Sequence, residues 1–241
     1  MSHITASPAS ENEKEMNILA RIWNVFVAPA STFKAVREKP KWVIPFIITV
    51  LISAGVMYFL TPVVIEEGRD KMIEQMEKRG VPEEQIDQAV EQGIKVQKVT
   101  IAPMAAVGSA VVTLILAAVW LFVSNVLLGG SSRYAQLLGV VVYAGFIGLL
   151  GFLIKLPIML SQGTMNVHFS LATLMSDASK ETFLYKLLAN VELFNLWTIA
   201  VTSIGIALVA GLKTKKVWPW VALITVLYWV VAAAVGGAFG G

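Results

Sequence analysis

Charge is absent from long stretches of this chain, and those gaps dictate what it can fold into. Residues 43–65 (VIPFIITVLISAGVMYFLTPVVI) carry no charged side chain, and neither do residues 217–241. Residues 101–160 carry two, Arg133 and Lys155, and residues 187–212 carry one, Glu192. About 20 predominantly apolar residues cross the ~30 Å hydrocarbon core of a bilayer as a helix. The stretch 101–160 is too long for one crossing. It is interrupted by Gly129-Gly130-Ser131-Ser132-Arg133, a polar, turn-forming break. Five spans follow, at about 43–64, 101–128, 135–158, 187–211 and 217–238. None alternates as a barrel strand does, so each is read as a helix that satisfies its own backbone in lipid.

Composition agrees. Hydrophobic residues make up 56% and charged residues 15%, with a mean hydropathy of +0.71; soluble domains carry ~45–50% and ~25%. The chain has no Cys, hence no disulfide or thiol chemistry. Its net charge of +3 belongs to the Lys and Arg of membrane loops and does not point to nucleic acid. The first apolar run starts at residue 43 and is longer than a signal-peptide core, so it is expected to act as the insertion signal and to stay. Cationic residues before the first span (Arg21, Lys34, Arg37, Lys39, Lys41), at Arg133 and at Lys213, Lys215 and Lys216 place the N-terminus in the cytoplasm and the C-terminus outside.

Three pieces lie between or before the spans. Residues 1–12 are rich in Ser, Thr and Pro and read as a disordered tail. Residues 13–42 read as an amphipathic elbow. Ile18, Leu19, Ile22, Trp23 and Phe26 fall on one helical face, which suits a helix lying among lipid headgroups. Pro29 ends that helix, and a second, N-capped by Ser31 or Thr32, runs to Lys39. Trp23, Phe26 and Trp42 are the expected interfacial anchors. The elbow either anchors the first span or docks a partner. Residues 66–100, with nine Asp and Glu, read as an extramembrane helical hairpin about 66–79 and 82–98, with Gly80 and Pro82 at its turn. It packs on itself, extends the neighbouring spans or dimerises. Residues 161–186 form a polar loop in which His168 stands alone.

Chemistry is sparse. The chain has no phosphate-binding glycine loop, no zinc-protease motif and no nucleophile elbow. No catalytic, metal or cofactor constellation stands out, so no enzyme activity is expected. Polarity inside the spans needs a reason, because ionisable groups there are costly. Lys155 near the end of the third span and Glu192 near the start of the fourth have opposite charge at similar depth and suggest a pair. Glu192, placed about a turn inside its span, shares a face with Asn195 and Thr202. Gly145, Gly148 and Gly151 in the third span, and Gly236 and Gly240 at the C-terminal end, are candidates for close helix packing.

Three segments carry a resemblance. Residues 22–46 hold Trp-x-x-Phe-x-x-Pro, Phe-x-x-x-Arg-Glu-x-Pro and Trp-x-x-Pro; 129–147 (GGSSRYAQLLGVVVYAGFI) follow the second span; 188–205 (LANVELFNLWTIAVTSIG) open the fourth. In this order they resemble the Ypt-interacting-protein (Yip) domain family, in its bacterial branch, over about 20–239. The resemblance implies five spans with a cytoplasmic N-terminus, here in a bacterial inner membrane. Eukaryotic members bind prenylated small GTPases in vesicle traffic. This chain lacks their long N-terminal region and Asp-Leu-Tyr-Gly-Pro-type motif, which counts against small-GTPase binding here. The expectation is an all-α, five-span membrane protein that is a scaffold or interaction protein organising membrane partners or bilayer shape. Its partners would be the lipid bilayer, another membrane protein or a second copy of itself. The alternative is a small transporter, channel or lipid-translocating protein using Lys155, Glu192 and Asn195.

Overall fold

The computed structural model describes residues 15–167, 169–175 and 182–238. The tail at 1–12, His168 and Gly240 lie outside the described residues. Helix α1 (Ile18–Val27) and α2 (Pro29–Glu38) form the elbow, followed by α3 (Val43–Lys78) and α4 (Glu83–Leu121). Then come α5 (Tyr134–Gln162), the short α6 (Phe183–Leu188), α7 (Leu193–Ala210) and α8 (Thr214–Ala238). No strand occurs among the described residues; Ser170 and Glu192 form an isolated antiparallel bridge. Five helices, α3, α4, α5, α7 and α8, are long and apolar enough to cross a membrane. The chain is a multi-pass helical membrane protein.

Two boundaries differ from the sequence reading. No helix break separates the first span from the polar segment after it. At 1.5 Å per residue α3 and α4 run about 54 and 58 Å, well beyond the ~30 Å of hydrocarbon. They form one continuous antiparallel pair that projects past the bundle and turns at Gly80, where φ is +74°. The helix ladder is internal to each helix, so a change from lipid to water alters which faces are polar without ending the helix. Ile86 and Val90 are the buried residues of the projecting part, and Gly93 lets Met72 approach.

The fourth span also starts later. The chain leaves the helix after α6, and Glu192 is extended (φ −127°, ψ 160°) as the N-cap of α7 rather than a turn inside it. Local bonds replace the ladder at this break. Asn190 Nδ2 donates to Lys186 O (2.9 Å), Asn195 Nδ2 to Asn190 O (2.8 Å) and Leu171 N to Val191 O (3.2 Å). Asparagine competes for backbone partners in this way and favours helix ends over interiors.

α5 is the central helix. It packs against α1, α2, α3, α4 and α7, and Leu137, Val140, Tyr143 and Ile147 on it are fully buried. The elbow docks on α5 and α7 through Val25, Phe33 and Val36, which are also fully buried. Val36 sits over Gly139, where an added Cβ would lie 2.8 Å from its Cγ1. Phe33 and Val140 close on Gly205 in the same way. Phe26 reaches Trp197, with ring centroids 6.0 Å apart, about 20 Å along α7 from Ala210. The second elbow helix begins at Pro29, not after Ser31 or Thr32. Proline needs no N–H partner at a first helical position, and Thr32 Oγ1 instead donates to Arg21 O (2.9 Å), tying α2 to α1.

Candidate functional site

The end of the bundle that carries the elbow is held by side chains serving backbone carbonyls. The last carbonyls of a helix lack partners of their own. At the end of α2 and just beyond, Gln136 Nε2 donates to Arg37 O (2.6 Å), Arg21 Nη1 to Lys39 O (2.7 Å) and Tyr143 OH to Lys41 O (2.9 Å). Arg21 is 1% exposed, and its Nε also donates to Met16 O (3.1 Å). Glu15 stands 2.9 Å from Lys41, 3.5 Å from Lys39 and 3.8 Å from Arg21. The Lys41 ammonium, seconded by Lys39, holds its carboxyl below the usual carboxylate range. None of these side-chain roles shows in the periodicity, which puts Arg21 on the polar face of α1. A second polar knot lies at the same end. Asn125, in a π-helical turn at Phe122–Leu127, exchanges hydrogen bonds with Ser132. Lys216 Nζ donates to Leu128 O (2.7 Å).

The other end carries the ion pair of Lys155 and Glu192. Lys155 projects from α5, and Glu192 stands where the chain enters α7. Lys155 Nζ donates to both carboxylate oxygens, at 3.0 and 3.1 Å. Their side chains are 12% and 9% exposed. Two charges taken this far from water retain a net benefit only with good geometry and further polar partners. Bidentate contact supplies the first. A chamber of about 460 Å³ lies beside the pair, lined also by Asn166, Tyr185, Asn190 and Asn195. Glu67 of α3 closes this end, accepting from Thr164 Oγ1 (2.5 Å) and Met165 N (2.9 Å). Its pattern in sequence is that of any solvated carboxylate, so nothing there singles it out.

The structure sorts the remaining candidates. Asn195 lines the polar chamber and also a second, apolar chamber, whereas Thr202, 7% exposed, lines only the apolar one. Gly151 is a close-approach position, where an added Cβ would lie 2.6 Å from Phe194 Cγ. At Gly145 and Gly148 an added Cβ meets nothing within 4 Å. They border cavities rather than helices, because spacing alone does not say which neighbour a face meets. Gly139 and Gly205, which stand outside the small-residue spacing, take the tightest approach of the elbow. Gly236 lies in α8. On α1 the expected stripe divides. Ile22 and Phe26 pack inward, and Leu19, Trp23 and Val27 are exposed by 75%, 66% and 62%. Trp42 is half-buried against Phe46. No cluster of three or more His, Cys, Asp or Glu able to hold a metal occurs among the described residues.

Among protein families, the model of the Yip1 domain matches residues 23–236, which is most of the chain. No curated protein and no solved structure matches it.

Proposed function

The chain belongs to the Yip1-domain family, and from that premise we propose that it is a non-enzymatic inner-membrane protein that shapes the bilayer or organises partners in it, with the elbow as its working part. One observation carries the proposal. The α1–α2 elbow is wedged beside α5 and α7 at one end of the bundle and turns Leu19, Trp23 and Val27 outward. An apolar helical face with Trp that enters the bundle from one end only adds volume unevenly to the two leaflets, and amphipathic helices couple to curvature. The cations at that end, Lys34, Arg37, Lys39, Lys41, Lys213, Lys215 and Lys216, suit the anionic cytoplasmic leaflet.

Support for this over a transport pathway comes from the middle of the bundle. Lys155 and Glu192 neutralise each other at one end. The hydroxyls of Ser53, Thr113, Thr198 and Ser203 donate to carbonyls of their own helices, not toward a continuous polar path.

The test is reconstitution into vesicles containing phosphatidylglycerol, with diameters measured by electron cryomicroscopy. The parent chain is expected to narrow or tubulate vesicles, and the Leu19→Ser, Trp23→Ser, Val27→Ser variant to leave them as protein-free vesicles are. Equal diameters with parent and variant sink the proposal. The orientation has its own test: a reporter fused after Gly241 is expected to be active only on the extracytoplasmic side.

A further inference from the structure

Hydroxyls in the crossing helices follow one habit, with two exceptions. A Ser or Thr inside a helix can return its hydrogen to a carbonyl one turn back, and Thr49, Ser53, Thr61, Ser109, Thr198 and Ser203 do so. Among the described residues, Thr202 of α7 and Thr225 of α8 lie inside crossing helices yet make no side-chain hydrogen bond. Both line the apolar chamber, which has a volume of about 440 Å³. Thr202 is 7% exposed. Every fully sealed side-chain oxygen or nitrogen among the described residues has a partner, so the unpartnered Thr202 hydroxyl keeps open surface, and the chamber is what it opens on. Asn195 lines the chamber as well. Its Nδ2 is committed to Asn190 O (2.8 Å), which leaves Oδ1 as an acceptor without a donor.

The surroundings restrict what can satisfy these groups. The chamber has α5 and α7 as its floor and α4 and α8 as its flanks, and the two flanks do not pack closely against each other. Val221 stands about 10 Å and Trp229 about 22 Å along α8 from Thr214, so the chamber lies inside the ~30 Å hydrocarbon layer rather than among headgroups. No charged side chain occurs among its described lining residues. Trp120 and Trp229, both buried, and Tyr228, exposed at the rim, supply aromatic surface. A hydroxyl left without a partner in hydrocarbon is costly.

We propose that this chamber binds an uncharged ring lipid of the quinone–quinol class, its ring oxygens bonded to Thr202 and Thr225 and its tail leaving between α4 and α8. The two hydroxyls donate to the oxygens of either form, and Asn195 Oδ1 accepts from the hydroxyl of the reduced form. A charged headgroup finds no counter-charge here, and a plain hydrocarbon leaves the polar groups unmet. The volume lies in the range of roughly 300–1,000 Å³ found for small-molecule sites.

The experiment uses the full chain, purified and delipidated in detergent, with decylubiquinone added and bound copies counted by native mass spectrometry. One copy per chain is expected. Thr202→Val with Thr225→Val keeps the side-chain shapes and removes both hydroxyls. Neither hydroxyl bonds to protein, so this variant is expected to melt no lower than the parent and to bind decylubiquinone about tenfold more weakly. Decylbenzene, a ring and tail without oxygens, is expected to bind the parent about tenfold more weakly than decylubiquinone does. Gly145 borders the chamber from α5 and an added Cβ there meets nothing within 4 Å, so Gly145→Leu is expected to fill the space and lose binding. Ser203→Ala, beside Thr202 but with its hydroxyl committed to Ile199 O, is expected to bind as the parent does. Equal binding by the parent and the double Val variant, equal binding of decylbenzene, intact binding in Gly145→Leu, or detergent as the sole occupant each overturns the proposal. The Leu19→Ser, Trp23→Ser, Val27→Ser variant is expected to keep decylubiquinone, so failure of the bilayer-shaping reading leaves this one standing.

Discussion

Breaking the Lys155–Glu192 pair is the sharpest perturbation of the site. At 3.0 Å and an effective dielectric near 20, two unit charges attract by roughly 5–6 kcal/mol before desolvation. Removing both side chains from water takes back several kcal/mol. The polar chamber lowers that cost, because both groups retain some exposure. Close charge pairs of comparable burial couple by about 1.5 kcal/mol or more in double-mutant cycles, against ~0.2–1 kcal/mol for exposed pairs. The expected outcome is therefore a coupling of about 2 kcal/mol. Glu192→Gln strands the Lys155 ammonium and is expected to be the more harmful single change. Lys155→Met on top of it is expected to recover part of the loss. The assay is equilibrium unfolding in mixed micelles of the parent, both single variants and the double. Additivity within about 0.5 kcal/mol would refute the reasoning, because independent sites add within that margin.

Glycine positions separate close packing from spacing. Gly205→Ala places a Cβ 2.6 Å from Val140 Cγ1 and 3.0 Å from Phe33 Cζ and is expected to cost about 1–3 kcal/mol; Gly145→Ala is expected to be neutral or stabilising by up to ~1 kcal/mol from helix propensity. Thermal melts of the two variants are expected to move apart, and equal melts contradict the packing. Arg21→Met leaves the Lys39 carbonyl without its 2.7 Å donor and is expected to cost about 1–3 kcal/mol, read as faster hydrogen exchange across residues 17–39 than across α5. Acid is expected to loosen the same segment. Glu15 titrates below its ordinary 4.5, so its contribution is full above that value and is lost as the pH falls through its lowered pKa. Glu15→Gln is expected to remove that acid dependence of elbow exchange.

Local pattern determined a good deal of this molecule. Charge-free runs set the number of crossings, because a charge in hydrocarbon costs energy wherever the helix packs, and the Gly129–Arg133 break separated the second crossing from the third. The opposite charges of Lys155 and Glu192, at matching depth on consecutive helices, were enough to suggest partners, which the structure places 3.0 Å apart. Other features depend on which faces meet. Arg21 belongs to the polar face of α1 by periodicity, yet it is buried because carbonyls at Met16 and Lys39 converge on it. The Leu19–Trp23–Val27 stripe parts from Ile22 and Phe26 because α2 and α5, with Trp197 of α7, cover one side of α1. Gly139 and Gly205 are close-approach positions because Val36 and Phe33 fall on them, whereas Gly145 and Gly148 border open space. Periodicity is a property of one helix, whereas burial, close approach and the lining of two cavities by Asn195 are properties of several helices at once. Only the tertiary structure brings those helices together.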